Sequence, residues 1–313
     1  MPLRYIQAIR KSILTKGLAI FAALCGCVII GWAVKVKILS NTPASNRFQS
    51  DYSIPRQIQY QFTLQNKTNR LVTNAEFWAH APVKQTPTQH CSQIESSYPH
   101  ELIADSFGNQ ILYFTFDEFP PYATSIIAVK TELLLSNTLN SLATPDLQTF
   151  LSPEKYIESD NPELHRLAQT LKAATPFKTA ENIFNWVAGN IRYAGYLQKA
   201  RGALYALQNK KGDCTEFMYL FAALCRANNI PARGIGGYIC TQNRILKPGD
   251  YHNWAEFYLD GAWRISDPQN KVFMKDQANY IAMRLINAST DSSLSQFNKF
   301  RFEGAGLQVK MNL

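Results

Sequence analysis

Apolar and polar residues alternate along the first part of the chain that follows residue 56. Ile58, Tyr60, Phe62 and Leu64 are separated by polar residues, a period of two that predicts a strand with one buried face. Further strands are predicted near 75–79, 111–116 and 126–135. Turns rich in Gly, Pro and Asn separate these segments, so the pattern predicts a small antiparallel β-sandwich domain over residues 57–140.

The spacing of apolar residues becomes helical after about residue 142. The pattern predicts helices at 162–173, 179–190 and 214–228, and then strands at 232–240, 252–259 and 262–267. Helices followed by strands are typical of an α+β arrangement. We therefore predict a second, α+β domain over residues 141–313.

The N-terminal segment carries a charge-free apolar run at 17–34. Eighteen helical residues span about 27 Å, close to the thickness of a hydrocarbon core. We predict a membrane anchor at 1–37 and a polar linker at 38–56, with a single-pass helix in the cell inner membrane and the body in the periplasm. A cleaved signal peptide is the main alternative, but the run is long and no small-x-small cleavage site ends it. Lipidation of Cys27 is a weaker alternative, because a long apolar run follows that cysteine.

The positive charge of the chain is concentrated in this segment. The net charge is +9, and residues 1–50 contain seven Lys or Arg and no acidic residue, which leaves +2 for the rest. Nucleic-acid binding would require a basic patch on the folded part. The charge distribution therefore argues against a nucleic-acid partner and favours a membrane.

One cysteine is predicted to begin a helix. Gly212 allows a tight turn, and the helix at 214–228 then begins at Cys214. The N–H groups and the positive dipole end of a helix N-terminus stabilise a thiolate. A lone cysteine is more often a small buried residue, and Cys225, which lies deeper in the same helix, is interpreted in that way.

A predicted hairpin supplies partners for Cys214. The pair Asp260-Gly261 favours a two-residue type I′ turn between the strands at 252–259 and 262–267. Counting back from that turn places Trp254 opposite Asp267, so His252 is the diagonal neighbour of Asp267 on the same face. Diagonal side chains about 7–8 Å apart can interact when they are long. The register therefore predicts an imidazole held by a carboxylate, with the second ring nitrogen facing a thiol.

Four motifs surround these residues: G-x-C at 212–214, I-P-A-R-x-x-x-G-Y at 230–238, H-x-W-x-E-x-Y at 252–258 and G-x-W-x-x-x-D-P at 261–268. Together they resemble the transglutaminase-like superfamily over residues 179–269. The resemblance implies a papain-like core, with Cys214 as nucleophile, His252 as general base and acid, and Asp267 orienting the imidazole. It also implies attack on an amide carbonyl, a thioester intermediate and transfer to water or an amine.

The β-domain and the anchor are similar to bacterial envelope members of that superfamily. No acidic calcium loop of the animal type is present, so we expect no cofactor and no metal site. Asn253 occupies a position where Ala is usual, and we expect this change to be tolerated. The backbone N–H of Cys214 is one expected oxyanion donor, and the second is the Tyr193 hydroxyl or another backbone N–H. Trp254 either lines the cleft or packs within the hairpin.

Three functions remain open at this level. The first is an enzyme acting on a protein or peptide amide, a peptidase or amidase or else a protein transglutaminase. Hydrolysis is favoured because water is always available and no docking site for an amine is evident. The second is a non-catalytic envelope binding or assembly protein with the same fold. The third, a purely structural tethered β-domain, leaves the predicted triad unexplained.

The cysteines lack a disulfide framework. Cys225 lies about 16 Å along the helix from Cys214, and the next strand returns antiparallel and carries Cys240 back past the helix start. A disulfide requires Cα atoms within about 7 Å. We therefore predict that Cys225 and Cys240 are not bonded to each other.

Overall fold

A computed structural model describes residues 51–143, 146–286 and 297–313. The apolar run at 17–34, the predicted anchor at 1–37 and Cys27 lie outside the described residues. Across the three described ranges, no helix combines the length and hydropathy needed to cross a bilayer. The predicted membrane anchor therefore stays a prediction.

Seven strands form before residue 140. They are β1 (Ile54–Asn66), β2 (Val72–Ala81), β3 (Gln85–Thr86), β4 (Gln89–Ser96), β5 (Glu101–Ala104), β6 (Gln110–Phe119) and β7 (Thr124–Leu135). The four strands predicted from the alternating pattern correspond to β1, β2, β6 and β7, which confirms those predictions. The pattern missed β3, β4 and β5. Only two of the eight residues of β4 and none of the four residues of β5 are buried, so these strands lack a clear apolar period.

Helices and the remaining strands follow. They are α1 (Pro162–Leu171), α2 (Pro176–Asn190), β8 (Arg192–Tyr193), α3 (Ala203–Asn209), β9 (Lys211–Gly212), α4 (Cys214–Arg226), β10 (Ala232–Ile239), β11 (Arg244–Ile245), β12 (Tyr251–Leu259), β13 (Ala262–Asp267), β14 (Val272–Phe273), β15 (Tyr280–Ile286), β16 (Phe300–Glu303) and β17 (Leu307–Met311). Single 3-10 turns lie at Leu147–Phe150, Pro248–Asp250 and Gln277–Asn279. The predicted helices correspond to α1, α2 and α4, whereas the short α3 was missed.

Two sheets share a core in the first part of the chain. One has the order β11-β1-β7-β4-β3, with β17 also pairing with β1, and the other has the order β16-β2-β6-β5. The alternating residues Ile58, Tyr60, Phe62 and Leu64 of β1 are all buried in this core. The fold is thus mixed α/β, with β-rich sheets beside the helical part.

The end of the chain returns to these two sheets. β16 pairs antiparallel with β2, and β17 pairs antiparallel with β1. The described residues, 51–143, 146–286 and 297–313, belong to one compact unit. Strands that follow residue 140 in sequence therefore complete sheets begun before it, and the predicted division of the chain near residue 140 stays a prediction.

A third sheet carries the central helix. Its order is β14-β13-β12-β10-β15, and α4 packs against β12 and β10. Every residue of α4 from Glu216 onward is buried, including Cys225 at 0% exposure, which confirms the interpretation of Cys225 as a core residue. Helix α4 is therefore a fixed platform for the residue at its first position.

A buried ion pair crosses the same sheet. Arg233 of β10 lies opposite Glu256 of β12, and its guanidinium donates to Glu256 Oε2 at 2.9 and 2.7 Å. The guanidinium also lies 4.0 Å from the centroid of the Trp263 ring. Both charges have a partner, so the pair joins the two strands that flank α4.

Candidate active site

The start of α4 is defined by a reciprocal cap. Asp213 is the N-cap, and its Oδ1 accepts a hydrogen bond from Thr215 N at 2.8 Å. Glu216 returns a bond, with its Oε2 accepting from Asp213 N at 3.1 Å. This capping box fixes Cys214 as the first helical residue, as predicted. The D-x-x-E spacing that forms it was readable from the sequence and was overlooked.

Gly212 is required by close packing at this point. A Cβ built on Gly212 would lie 2.3 Å from Glu216 Cβ, a distance that no real side chain tolerates. Gly212 also pairs with Tyr193 in the short parallel ladder of β8 and β9. The absence of a side chain therefore lets the chain that precedes Cys214 approach both its own helix and the strand that carries Tyr193.

The cap residues also hold one rim of the site. Leu197 N donates to Asp213 Oδ2 at 2.9 Å, and Arg201 N donates to Glu216 Oε1 at 2.8 Å. The two buried carboxylates are thus shared between the helix start and the loop that follows β8. The position of that loop depends on the same groups that position Cys214.

The hairpin has the predicted register. Leu259 pairs with Ala262 and Tyr258 with Trp263. Asp260 and Gly261 have φ angles of +50° and +79°, both positive as a type I′ turn requires. The ladder therefore carries His252 and Asp267 to the same face of adjacent strands.

His252 is held between a carboxylate and a thiol. Its Nε2 lies 2.7 Å from Asp267 Oδ2, and the Cys214 side chain is close enough to raise the pKa of the ring. Since Nε2 faces Asp267, Nδ1 is the nitrogen left for the thiol. Burial lowers the pKa of His252, but the hydrogen bonds to Asp267 and Cys214 and their charges outweigh it and raise the pKa to about 9.

Asp267 is satisfied by further donors. Its Oδ2 accepts from Tyr280 Oη at 3.0 Å and from Asn270 Nδ2 at 2.8 Å, and its Oδ1 accepts from Asn270 N at 3.2 Å. Asn270 Nδ2 also lies 3.1 Å from His252 Nε2. Because Nε2–H donates to the carboxylate, the amide of Asn270 donates to Asp267 and not to the ring. Asp267 is 1% exposed, so these donors stabilise a buried charge.

The segment that contains all three residues matches a known family. Residues 165–268 match the transglutaminase-like superfamily. The segment that contains Cys214, His252 and Asp267 is thus similar to a transglutaminase-like core. This confirms the family resemblance inferred from the motifs.

Individual relatives of the transglutaminase-like core are distant. The chain is 25% identical over 182 residues to an uncharacterized protein of Mycobacterium leprae, covering 54% of this chain and 64% of that protein. A solved structure from Cytophaga hutchinsonii, described as a candidate cysteine protease, has a TM-score of 0.56 at 18% identity and covers 83% of this chain and 92% of that one. It shows the same fold.

A periplasmic domain of TgpA from Pseudomonas aeruginosa has a TM-score of 0.37 at 16% identity, covering 68% of this chain and 90% of that one. This score is too low to support an argument from structure. The chain spans less than two thirds of the length of its Mycobacterium leprae relative.

A cleft of about 850 Å³ opens beside Cys214 of the transglutaminase-like core. Its walls come from the loop after β8, the start of α4, the start of β12 and the residues that flank β15 and β16. Tyr193, predicted as a site residue, lines this cleft and is half exposed. Trp254 does not line it: the indole is 1% exposed and packs between His252 and Tyr280. Of the two roles considered for Trp254, packing is the one observed.

Asn253 lies closer to Cys214 than its sequence context suggested. Its Nδ2 donates to Thr215 Oγ1 at 2.9 Å and lies 3.8 Å from Cys214 Sγ. Alternation along β12 directs Asn253 away from the face of His252 and into the cleft. Its Oδ1 is buried without a hydrogen-bond partner among the described residues. The departure from the usual Ala therefore adds a polar group at the nucleophile.

Two residues that contact Asp267 (Asn270 and Tyr280) were not predicted from the sequence, and only the first had a local sequence signal. Asn270 follows Asp267 by three positions, a local spacing typical of a turn that closes on an Asp side chain. Tyr280 has no such local relation to the triad.

The described residues contain four cysteines, all free thiols, so Cys225 and Cys240 are unbonded as predicted. They contain no cluster of three or more His, Cys, Asp or Glu side chains suited to a metal.

Proposed function

We propose that this protein is a cysteine-nucleophile enzyme that acts on amide bonds through a thioester, with Cys214 as nucleophile, His252 as acid and base, and Asp267 as the group that orients His252. The observation that supports it best is the His252 ring held between Asp267 Oδ2 at 2.7 Å and the Cys214 thiol. The family match and the fold shared with a candidate cysteine protease agree with cysteine chemistry.

In this proposal Cys214 attacks as a thiolate, and the imidazolium of His252 is its counter-ion. With a pKa of about 9, His252 keeps its second proton at neutral pH. A cationic neighbour and a helix N-terminus both favour the negative form of a thiol. Asp267, with three other hydrogen bonds, balances the imidazolium without taking its proton.

Acyl transfer then proceeds in two steps. The Cys214 thiolate attacks the amide carbonyl carbon, and the tetrahedral oxyanion collapses as His252 donates its proton to the leaving amine. The products of this step are the free amine and a thioester on Cys214. His252, now neutral, takes a proton from water or from a second amine, which attacks the thioester and releases the acyl group. Hydrolysis is the outcome that we favour, because it requires no further binding site.

Asn253 is the better-supported second donor for the oxyanion. The Cys214 N–H is at the first position of α4 and has no acceptor within the helix. Asn253 Nδ2, 3.8 Å from Sγ, can approach an oxygen on the attacked carbon. Tyr193 lines the same cleft, but no hydrogen bond joins it to Cys214 or Thr215 among the described contacts. We therefore assign the donors to Cys214 N and Asn253 Nδ2.

Active-site labelling tests the nucleophile. A peptidyl acyloxymethyl ketone, which alkylates activated thiols, is expected to label the full-length protein at Cys214 and to fail with Cys214→Ala. His252→Ala should lower the labelling rate by about 100-fold or more. Cys225→Ala is the matched control, because Cys225 lies in the same helix but is fully buried.

A second experiment distinguishes an enzyme from a non-catalytic binding protein with the same fold. Mass spectrometry of the protein mixed with peptide amides should detect a thioester adduct on Cys214 and the released amine. A labelling rate that is unchanged in Cys214→Ala and in His252→Ala would contradict the proposal. Binding of peptides without adduct or product would favour the non-catalytic binding protein.

The proposed location is the cell inner membrane, with the body in the periplasm. The charge-free run at 17–34 supports it, together with four basic residues before the run and three after it within the first 50 residues. Protease added to spheroplasts should digest the body while cytoplasmic markers remain intact. Protection of the body would reverse the orientation, and release of the body in soluble form on osmotic shock would favour a cleaved signal peptide.

A further inference from the structure

Two cations lie together at the end of the cleft formed by β15 and β16. Arg284 is in β15, and Lys299 directly precedes β16. Both line the cleft that contains Cys214, together with Tyr251 and Asn298. Tyr251 and Arg284 both contact Asn298: the Tyr251 hydroxyl donates to Asn298 O at 3.3 Å, and Arg284 Nη1 donates to Asn298 Oδ1.

The Arg284 guanidinium is buried without a full set of partners. Its residue is 8% exposed, and Nη1 donates to Asn298 Oδ1 at 3.2 Å. Its Nε is buried and has no hydrogen-bond partner among the residues that the structure describes. A guanidinium presents Nε and Nη as a fork that matches the two oxygens of a carboxylate. Arg284 lines the cleft, while its Nε is enclosed by the protein.

Lys299 brings a second charge to the same place. Its Nζ donates to Pro248 O at 2.6 Å and lies 5.2 Å from the centroid of the Tyr251 ring. Burial lowers the pKa of Lys299, while the charge of Cys214 opposes that effect. A partly buried ammonium bound to a carbonyl retains donors for a further ligand.

The described acidic residues that line the cleft have partners elsewhere. Glu154 is ion-paired with Arg226 at 2.8 Å, and Asp213 caps α4. Among the ion pairs of the described residues, none includes Arg284 or Lys299. A buried charge without a counter-ion is costly, and the cost falls when a ligand supplies the opposite charge.

We propose that Arg284 and Lys299 form a carboxylate-binding subsite, so that the substrate is a peptide with a free carboxylate that reaches this end of the cleft when its scissile amide lies at Cys214. This inference rests on the proposed function only in that the bound peptide is then cleaved; binding of the carboxylate does not depend on it. The carboxylate binds the Arg284 guanidinium from the cleft, and Lys299 contributes a second donor. The carboxylate comes either from a chain terminus or from an acidic side chain.

A pair of thiol probes tests the subsite without any turnover. 3-Maleimidopropionic acid and N-propylmaleimide carry the same reactive group on chains of similar length, and only the first has a carboxylate. Alkylation rates at Cys214 of the full-length protein are measured by mass spectrometry at low ionic strength. The ratio of the two rates reports the subsite, and the neutral probe reports whether the site is folded and the thiol reactive.

The variants have distinct expected ratios. Arg284→Gln should lower the anionic-to-neutral ratio about tenfold, as expected for loss of a charged hydrogen-bonding partner. Lys299→Gln should lower it about three- to fivefold. Lys155→Gln is the control: Lys155 is an exposed cation on the rim of the same cleft, so its ratio should stay within about twofold of wild type.

The outcomes separate the subsite from general charge and from the proposed function. Unchanged ratios in both Arg284→Gln and Lys299→Gln would overturn the subsite, as would an equal drop in Lys155→Gln. If Arg284→Gln loses reactivity toward the neutral probe, the site is damaged and Lys299→Gln decides alone. Because alkylation requires no acyl transfer, a protein that turns over no amide still gives a clear answer here.

Peptide protection identifies the source of the carboxylate. Acetyl-Ala-Ala is compared with its C-terminal amide, and acetyl-Ala-Glu-amide with acetyl-Ala-Gln-amide, as inhibitors of N-propylmaleimide labelling. Protection by the free terminus assigns the subsite to a terminal carboxylate, and protection by the Glu peptide assigns it to an acidic side chain. Both results should be lost in Arg284→Gln. Equal protection by charged and neutral peptides would overturn the proposal.

Discussion

The substitution Asp267→Asn tests the central interaction of the site. Asp267 supplies both a hydrogen bond at 2.7 Å and a negative charge to His252. Asparagine retains the size of the side chain but removes the charge. Burial, which lowers the pKa of His252, is then opposed only by Cys214. We therefore expect the pKa of His252 to fall from about 9 toward or below the ordinary value of 6.5.

The expected change in the pKa of His252 sets the size of the effect on activity. The gap between about 9 and 6.5 corresponds to roughly 3 kcal/mol at ~1.4 kcal/mol per unit, or a factor of a few hundred. Above its pKa the ring is neutral and has no proton for the leaving amine. Wild-type activity should thus fall as pH rises through about 9, whereas the variant should already have lost its imidazolium near neutral pH. Probe labelling of Cys214 at pH 7 should fall by about 100-fold or more.

The assay is a carbon-13 NMR titration of labelled histidine between pH 5 and 10. The chain has five histidines, and the resonance of His252 is assigned from His252→Gln. Asp260→Asn is the control, because it makes the same chemical change at the exposed tip of the same hairpin, where Asn also accepts a positive φ. If His252 titrates near 6.5 in the wild type, or equally in wild type and Asp267→Asn, the reasoning is wrong.

Three further predictions concern neighbouring residues. Gly212→Ala should lower the free energy of unfolding by about 1–3 kcal/mol in urea titration, and Gly249→Ala, whose added Cβ would meet no atom within 4 Å, should not. Asn253→Ala should lower kcat about 100-fold with little change in KM; an unchanged kcat would return the oxyanion role to Tyr193 or a backbone N–H. Glu256→Gln should destabilise by about 3 kcal/mol, because it leaves a buried arginine unpaired, and a urea midpoint equal to wild type would refute this.

Contacts between residues close in sequence were predicted more fully than contacts between residues far apart in sequence. His252 and Asp267 were predicted as neighbours because a two-residue turn at Asp260-Gly261 sets the register of both strands. Cys214 was predicted as the first helical residue because Gly212 allows a tight turn directly before it, and the helix does begin there. These relations involve residues close in sequence, where backbone geometry leaves few arrangements.

The burial and direction of individual side chains were harder to predict. Trp254 alternates correctly with His252, but its burial depends on Tyr280, which comes from a different strand. Asn253 was treated as a neutral replacement, yet alternation along β12 turns it toward Cys214. Which face of a strand borders a cleft is decided by what packs on the other face, and alternation alone cannot specify that.

The amino-acid sequence by itself thus determined the helix that begins at Cys214, the hairpin that joins His252 to Asp267, and the family to which the core is similar. Tertiary structure alone decided that Tyr280 supports Asp267 and that Arg284 and Lys299 reach the same cleft. These residues depend on the pairing of β15 with β10 and of β16 with β2. Pairings between strands far apart in sequence are set by the burial of whole faces, and no local period records them.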